Sequence, residues 1–112
     1  MISEFLCFQS ALRLYHWNTR HYSRHLASGN LYTKLDGMID EFVEVMRGQG
    51  LPTLPMLKCN LARPPTDQEM VALLRAFRRL LKEMKLRSAD LKNLRDAMVA
   101  EVNRTLYLFR LR

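Results

Sequence analysis

The sequence predicts an all-α fold, a four-helix bundle formed as one domain over residues 1–112, and three observations predict it. Apolar residues recur at three- and four-residue steps through four segments, with no alternating strand pattern to compete. Glycine and proline are sparse, at four each, so the chain is composed for a folded core. At 112 residues and 48% apolar content it buries roughly 65% of its unfolded surface, enough for one core without staples.

The first helix is expected from about Ser3 to Thr19, with Phe5, Phe8, Leu12 and Tyr15 on one stripe. The second is expected from about His25 to Arg47, with Leu31, Leu35, Ile39, Phe42 and Met46 facing inward. Gly48 and Gly50, followed by Pro52 and Pro55, stop it. The third begins after Pro64-Pro65, where Thr66 and Glu69 have capping-box spacing. Met70, Leu73, Leu74, Phe77, Leu80, Leu81 and Met84 form its stripe. Ser88 is a candidate N-cap for the fourth, which continues through Leu91, Leu94, Met98, Val102, Leu106 and Phe109.

Short links make antiparallel hairpins of helices one and two and of helices three and four. The link from Gly48 to Pro65 is longer. Its 18 residues reach roughly 60 Å when extended, against roughly 34 Å for the second helix. It is long enough for the single crossover of ferritin-like folds, and an up-down bundle with a loose loop is the lesser option.

Residues 1–57 hold five bases and five acids, whereas residues 58–112 hold thirteen and six, so the net charge of +7 lies entirely in the second half. Such a half suits an acidic partner or a solvated surface. Cys7 and Cys59 follow no CxxC or framework spacing. They are expected as unpaired, buried small hydrophobes in a reducing compartment, cytoplasmic or virion and not secreted. Neither a signal peptide nor a membrane span is expected. No phosphate loop, nucleophile signature or zinc motif is present.

His16, His21 and His25, followed by Asp36, Asp40 and Glu44, are the residues that look like chemistry. Imidazoles with carboxylates make a nitrogen–oxygen site suited to iron. Asp40 and Glu44 fall roughly 130–170° from the middle of the second helix's apolar stripe, at 100° per residue. They therefore lie on the outer flank of the bundle, and Glu-x-x-His, wanted for a di-iron site inside a bundle, is absent. Ligands from a second subunit are the natural complement.

The phrases Leu14-Tyr15-His16-Trp17-Asn18, Tyr22 with His25, Leu31-Tyr32 and Asp40-Glu41-x-x-Glu44 resemble the Dps-type mini-ferritins, whose iron site lies between two subunits. An even closer likeness is to short, uncharacterised ferritin-like proteins of large DNA viruses. The resemblance covers about 35 residues well. It implies a homo-oligomer, with a dimer as the minimum and a shell as the larger form. His16 and His25 of one chain would face Asp40 and Glu44 of its partner, with Trp17 packed beside them. It further implies binding of iron, as one ion or a pair, and ferroxidase turnover with peroxide or dioxygen. His21 and Asp36 are the additional ligands on offer. The sequence departs from the family pattern in a shorter His16–His25 gap, in Gly29 where an acidic ligand usually stands, in lacking a lysine-rich tail, and in its positive charge.

Two readings stand beside that one. Arg75, Arg78, Arg79, Lys82 and Lys85 fall on one face of the third helix, about 120° wide. They are a solvated face, or a docking site for nucleic-acid phosphates or an acidic protein that binds electrostatically. The rival to iron chemistry is a non-catalytic structural or packaging protein, associated with a virion or condensing nucleic acid. The apolar end, Leu106 to Arg112, suggests burial against another subunit.

Overall fold

The computed structural model describes residues 1–50 and 58–111 and, among them, four helices and no strand. They are α1 (Ile2–Asn18), α2 (Tyr22–Gly48), α3 (Asp67–Glu83) and α4 (Ala89–Leu108). Pro52, Pro55 and Arg112 lie outside the described residues.

The expected stripes are the core. Phe5, Phe8, Leu12 and Tyr15 of α1 are buried, as are Leu31, Leu35, Ile39 and Phe42 of α2, with Met46 packed at the edge. α3 contributes Met70, Leu74, Phe77 and Leu81, and α4 contributes Leu91, Met98 and Val102. Each such side chain stabilises the fold by about 1.5–3 kcal/mol on burial. The rings interlock at one level, where Phe5 meets Phe42 and Phe77 edge-on at 5.7 Å and Phe8 stacks on Phe77 at 4.1 Å.

α1 packs on α2 and α3, and α4 packs on the same two. Every packed pair is antiparallel. His16 meets His25 while Phe5 meets Phe42, and Tyr15 meets Asp67 while Phe8 meets Phe77. Arg24 reaches Phe109 while Gln49 reaches Ser88, and Arg78 reaches Asn103 while Arg95 reaches Leu81.

Two boundaries differ from expectation. α2 begins at Tyr22, three residues before His25, because His21 is extended and its carbonyl accepts the His25 N–H at 2.9 Å. α3 ends at Glu83, so Lys85 lies beyond the helix. Met84 and Leu86 turn in against the core there and leave Lys85 exposed between them. The apolar end is covered within the chain in part: Phe109 is buried against Tyr15, whereas Tyr107 and Leu111 stay exposed.

The cysteines overturn their expectation. Cys7 and Cys59 form a disulfide with a Cα–Cα distance of 5.3 Å, and Cys59 is exposed. The pairing arises because the stretch around Lys58 lies against α1, where the Lys58 carbonyl is 3.8 Å from Cys7 Sγ. The inference of a reducing compartment rested on unpaired thiols and loses that basis. No described helix is long and apolar enough to cross a membrane.

Candidate metal centre

A three-residue link, Thr19 to His21, sets His16 near the end of α1 beside His25 in the first turn of α2. Their rings stack at 4.0 Å between centroids and 14° between planes. Each Nδ1 is 2.8 Å from the other residue's backbone carbonyl. A carbonyl oxygen only accepts, so both Nδ1 atoms carry protons and donate. In the neutral rings both Nε2 atoms then keep their lone pairs, the form in which histidine ligates a metal. The His16 carbonyl belongs to the last turn of α1, where helix geometry leaves carbonyls without partners, so His25 caps that helix. Buried Ser28 reinforces the clasp by donating to the His25 carbonyl at 3.2 Å.

Gly29 completes this arrangement. A Cβ there would stand 2.6 Å from His16 Cε1 and 3.0 Å from Nδ1. The His16 ring therefore fills the space that an acidic side chain at position 29 would need.

Asp40 and Glu44 are exposed on the outer side of α2. A hydrogen bond that the protonated Glu44 carboxyl donates to Asp40, together with the like charge of Asp40, pushes the Glu44 carboxyl up from its ordinary range. Asp40 is 15 residues from His25 on one continuous helix, about 22 Å along the axis. Imidazoles and acids of one chain do not converge, and among the described residues no three His, Cys, Asp or Glu side chains form a cluster. Asp36 accepts from Gln9 Nε2 at 3.4 Å. His21 presents Nε2 to Asp67 Oδ2 at 3.2 Å, a contact with the start of α3.

Trp17 is 66% exposed and is no part of the protomer's core. The Arg13 guanidinium lies 3.8 Å from the Tyr32 ring centre and 5.4 Å from that of Trp17. Leu6, Tyr22 and Leu26 are also exposed on this hairpin.

Four of the five basic residues lie within α3 and the fifth does not. Arg75, Arg79 and Lys82 are exposed on α3, Lys85 lies past its end, and half-buried Arg78 donates to Asn103 Oδ1 of α4 at 2.7 Å. Arg75 and Arg78 line a cleft with Arg20, Arg24 and Arg110. Those three carry no helical period in common with α3, because they come from the α1–α2 turn with the first turn of α2, and from just past the end of α4. Their signal was the placement of both segments at one end of the bundle.

A family model described as a family of unknown function (DUF5856) matches residues 16–109, a span that starts at His16 and takes in Gly29 and the acid row. No curated protein and no solved structure matches the chain. The matched span covers most of the sequence, and the chain belongs to that family.

Proposed function

We propose that the protein is a Dps-like mini-ferritin that binds ferrous iron between two copies of the chain. His16 and His25 of one protomer provide nitrogen ligands, and Asp40 and Glu44 of the other provide oxygens. The observation that carries this reading is the reciprocal clasp. Metal-binding histidines commonly donate their second ring N–H to a carbonyl or carboxylate, which fixes tautomer and orientation, and both imidazoles here are held that way.

Further support comes from the outside of α2. Tyr22, Leu26, Thr33, Asp36, Asp40 and Glu44 recur at steps of three, four and seven and are all exposed, so they share one outward stripe. It is apolar and aromatic near the histidines and acidic at the far end. Two copies related by a two-fold axis and lying antiparallel would set each acidic end on the other's histidine end, beside Arg13 and Trp17. A cation there would also relieve the repulsion that raises the Glu44 pKa. Bound ferrous iron supplies electrons to an oxidant, and the neutral Nε2 atoms with the carboxylates favour the ferric product.

The ferritin-like connection is part of the same proposal. α2 and α3 are each antiparallel to α1, so they run the same way, which supports a crossover between them. The lesser up-down option would make α2 and α3 antiparallel.

Anaerobic ferrous titration with native mass measurement tests the site. The parent is expected as a dimer or larger and to bind iron, and His25→Ala and Asp40→Asn are each expected to lose it. Asp40→Asn binding as much iron as the parent would remove the shared site. An oligomer that binds none would favour the packaging role.

A further inference from the structure

We propose that the arginine-lined cleft at the α1–α2 turn end of the bundle binds a nucleoside polyphosphate. The cleft has a volume of about 1110 Å³, and five arginines from three parts of the fold line it: Arg20, Arg24, Arg75, Arg78 and Arg110. Among the described residues no carboxylate side chain lines it. The adjacent acid, Asp67, is already engaged by the Tyr15 hydroxyl at 2.8 Å, by His21 at 3.2 Å and by Arg24 at 3.8 Å.

The arginines divide by what they already hold. Arg24 is structural: it donates to the Phe109 carbonyl at 3.0 Å and lies 4.9 Å from that ring's centre. Arg20 and Arg75 make no hydrogen bond or ion pair among the described residues, and Arg78 engages only Asn103. Guanidinium groups gathered without a counter-charge repel one another, and an anion in the cleft offsets that cost. Their planar forks match phosphate oxygens two at a time, which a compact ammonium does not.

The other half of the ligand is read from the apolar lining. Tyr107 is 53% exposed and Tyr22 is 75% exposed at this cleft, and Leu106 and Val71 lie between the basic groups. The Arg110 guanidinium lies 5.9 Å from the Tyr107 ring centre and Tyr22 stacks on His25 at 6.3 Å, and each phenol ring keeps exposed surface that offers stacking for a flat base. A sulfate or inorganic phosphate would use the arginines and leave the rings bare, whereas a nucleotide uses both. A bounded cleft of this size suits a free nucleotide better than a continuous strand.

The cleft's arginines and Tyr107 belong neither to the histidine clasp nor to the proposed interface stripe, so their part of the site stands whether or not iron binds. The test is calorimetric titration of the metal-free, disulfide-bonded protein with ATP, tripolyphosphate, adenosine and a single-stranded oligonucleotide. ATP is expected to bind more tightly than tripolyphosphate, with adenosine weaker still. Arg75→Ala, at an exposed and unpaired side chain, is expected to weaken ATP by about tenfold or more. Arg78→Lys keeps the charge, loses the fork and is expected to weaken it as well, while Arg79→Ala, outside the cleft, leaves it unchanged. Tyr107→Ala should cost ATP affinity and spare tripolyphosphate. The proposal is overturned if ATP does not bind, if Arg79→Ala costs as much as Arg75→Ala, if tripolyphosphate equals ATP, or if the oligonucleotide binds far more tightly than ATP.

Discussion

Position 29 puts two ordinary effects in opposition. A glycine inside a helix costs about 1 kcal/mol relative to alanine, so replacing it should stabilise α2. The His16 ring, however, sits where the new methyl would go, 2.6 Å from its place, and is pinned by a hydrogen bond and a stacked neighbour. Forcing extra volume into such a contact costs about 1–3 kcal/mol, so the clash should win. Gly29→Ala is expected to lower the urea midpoint. The same change with His16→Ala already present should raise stability instead, by up to about 1 kcal/mol. Gly37 supplies the control, because it lies on the same helix and a methyl there would meet nothing within 4 Å. Gly37→Ala should therefore stabilise in both backgrounds. A Gly29→Ala protein as stable as Gly37→Ala would mean that the ring is not held there.

At the scale of the helix, the start of α3 shows which features a linear sequence can carry. Thr66 and Glu69 are three residues apart, and their exchange is local: Glu69 N–H donates to Thr66 Oγ1 at 3.2 Å, and Thr66 N–H to Glu69 Oε1 at 3.0 Å. The capping box was therefore legible. The Arg63 fork, at 2.6 and 3.0 Å on the same carboxylate, depends on how the chain enters the helix and was not. Likewise the start of α2 and the end of α3 were misplaced because an extended His21 and the inward packing of Met84 and Leu86 decide them. The Arg63 and Thr66 hydrogen bonds hold the Glu69 carboxyl down at about 2, from an ordinary 4.5. Since the folded pKa is the lower one, the folded state binds fewer protons, and this contribution is complete above the unfolded value. It disappears as pH falls from about 4.5 through about 2. The gap in urea midpoint between the parent and Glu69→Gln should therefore be widest above about pH 5 and close towards about pH 2. A gap that stays constant across that window would remove the ion pair as its source.

For the molecule as a whole, four helices and nearly every core side chain were legible because burial repeats with the helical period. The His16–His25 pair was legible as a pair, but not its clasp, which depends on the path of the Thr19–His21 link. What no period records is contact between distant segments: the arginine cleft assembled from three regions, and the bridge between Cys7 and Cys59, 52 residues apart. That bridge ties the approach to α3 onto α1 and encloses the rest of α1 and all of α2. Closing a loop of that length removes enough freedom from the unfolded chain to stabilise the fold by about 4 kcal/mol by the chain-entropy argument. For a domain this small that is a large share of a total of about 5–15 kcal/mol. Cys7→Ser, Cys59→Ser and the reduced parent should share one lowered urea midpoint, and reductant should leave both variants unmoved. Because the bridge acts on the unfolded chain, the variants should keep the helical circular dichroism of the parent and its His16–His25 contact. A Cys7→Ser protein as stable as the oxidised parent would show that the α1–α3 packing alone secures this segment.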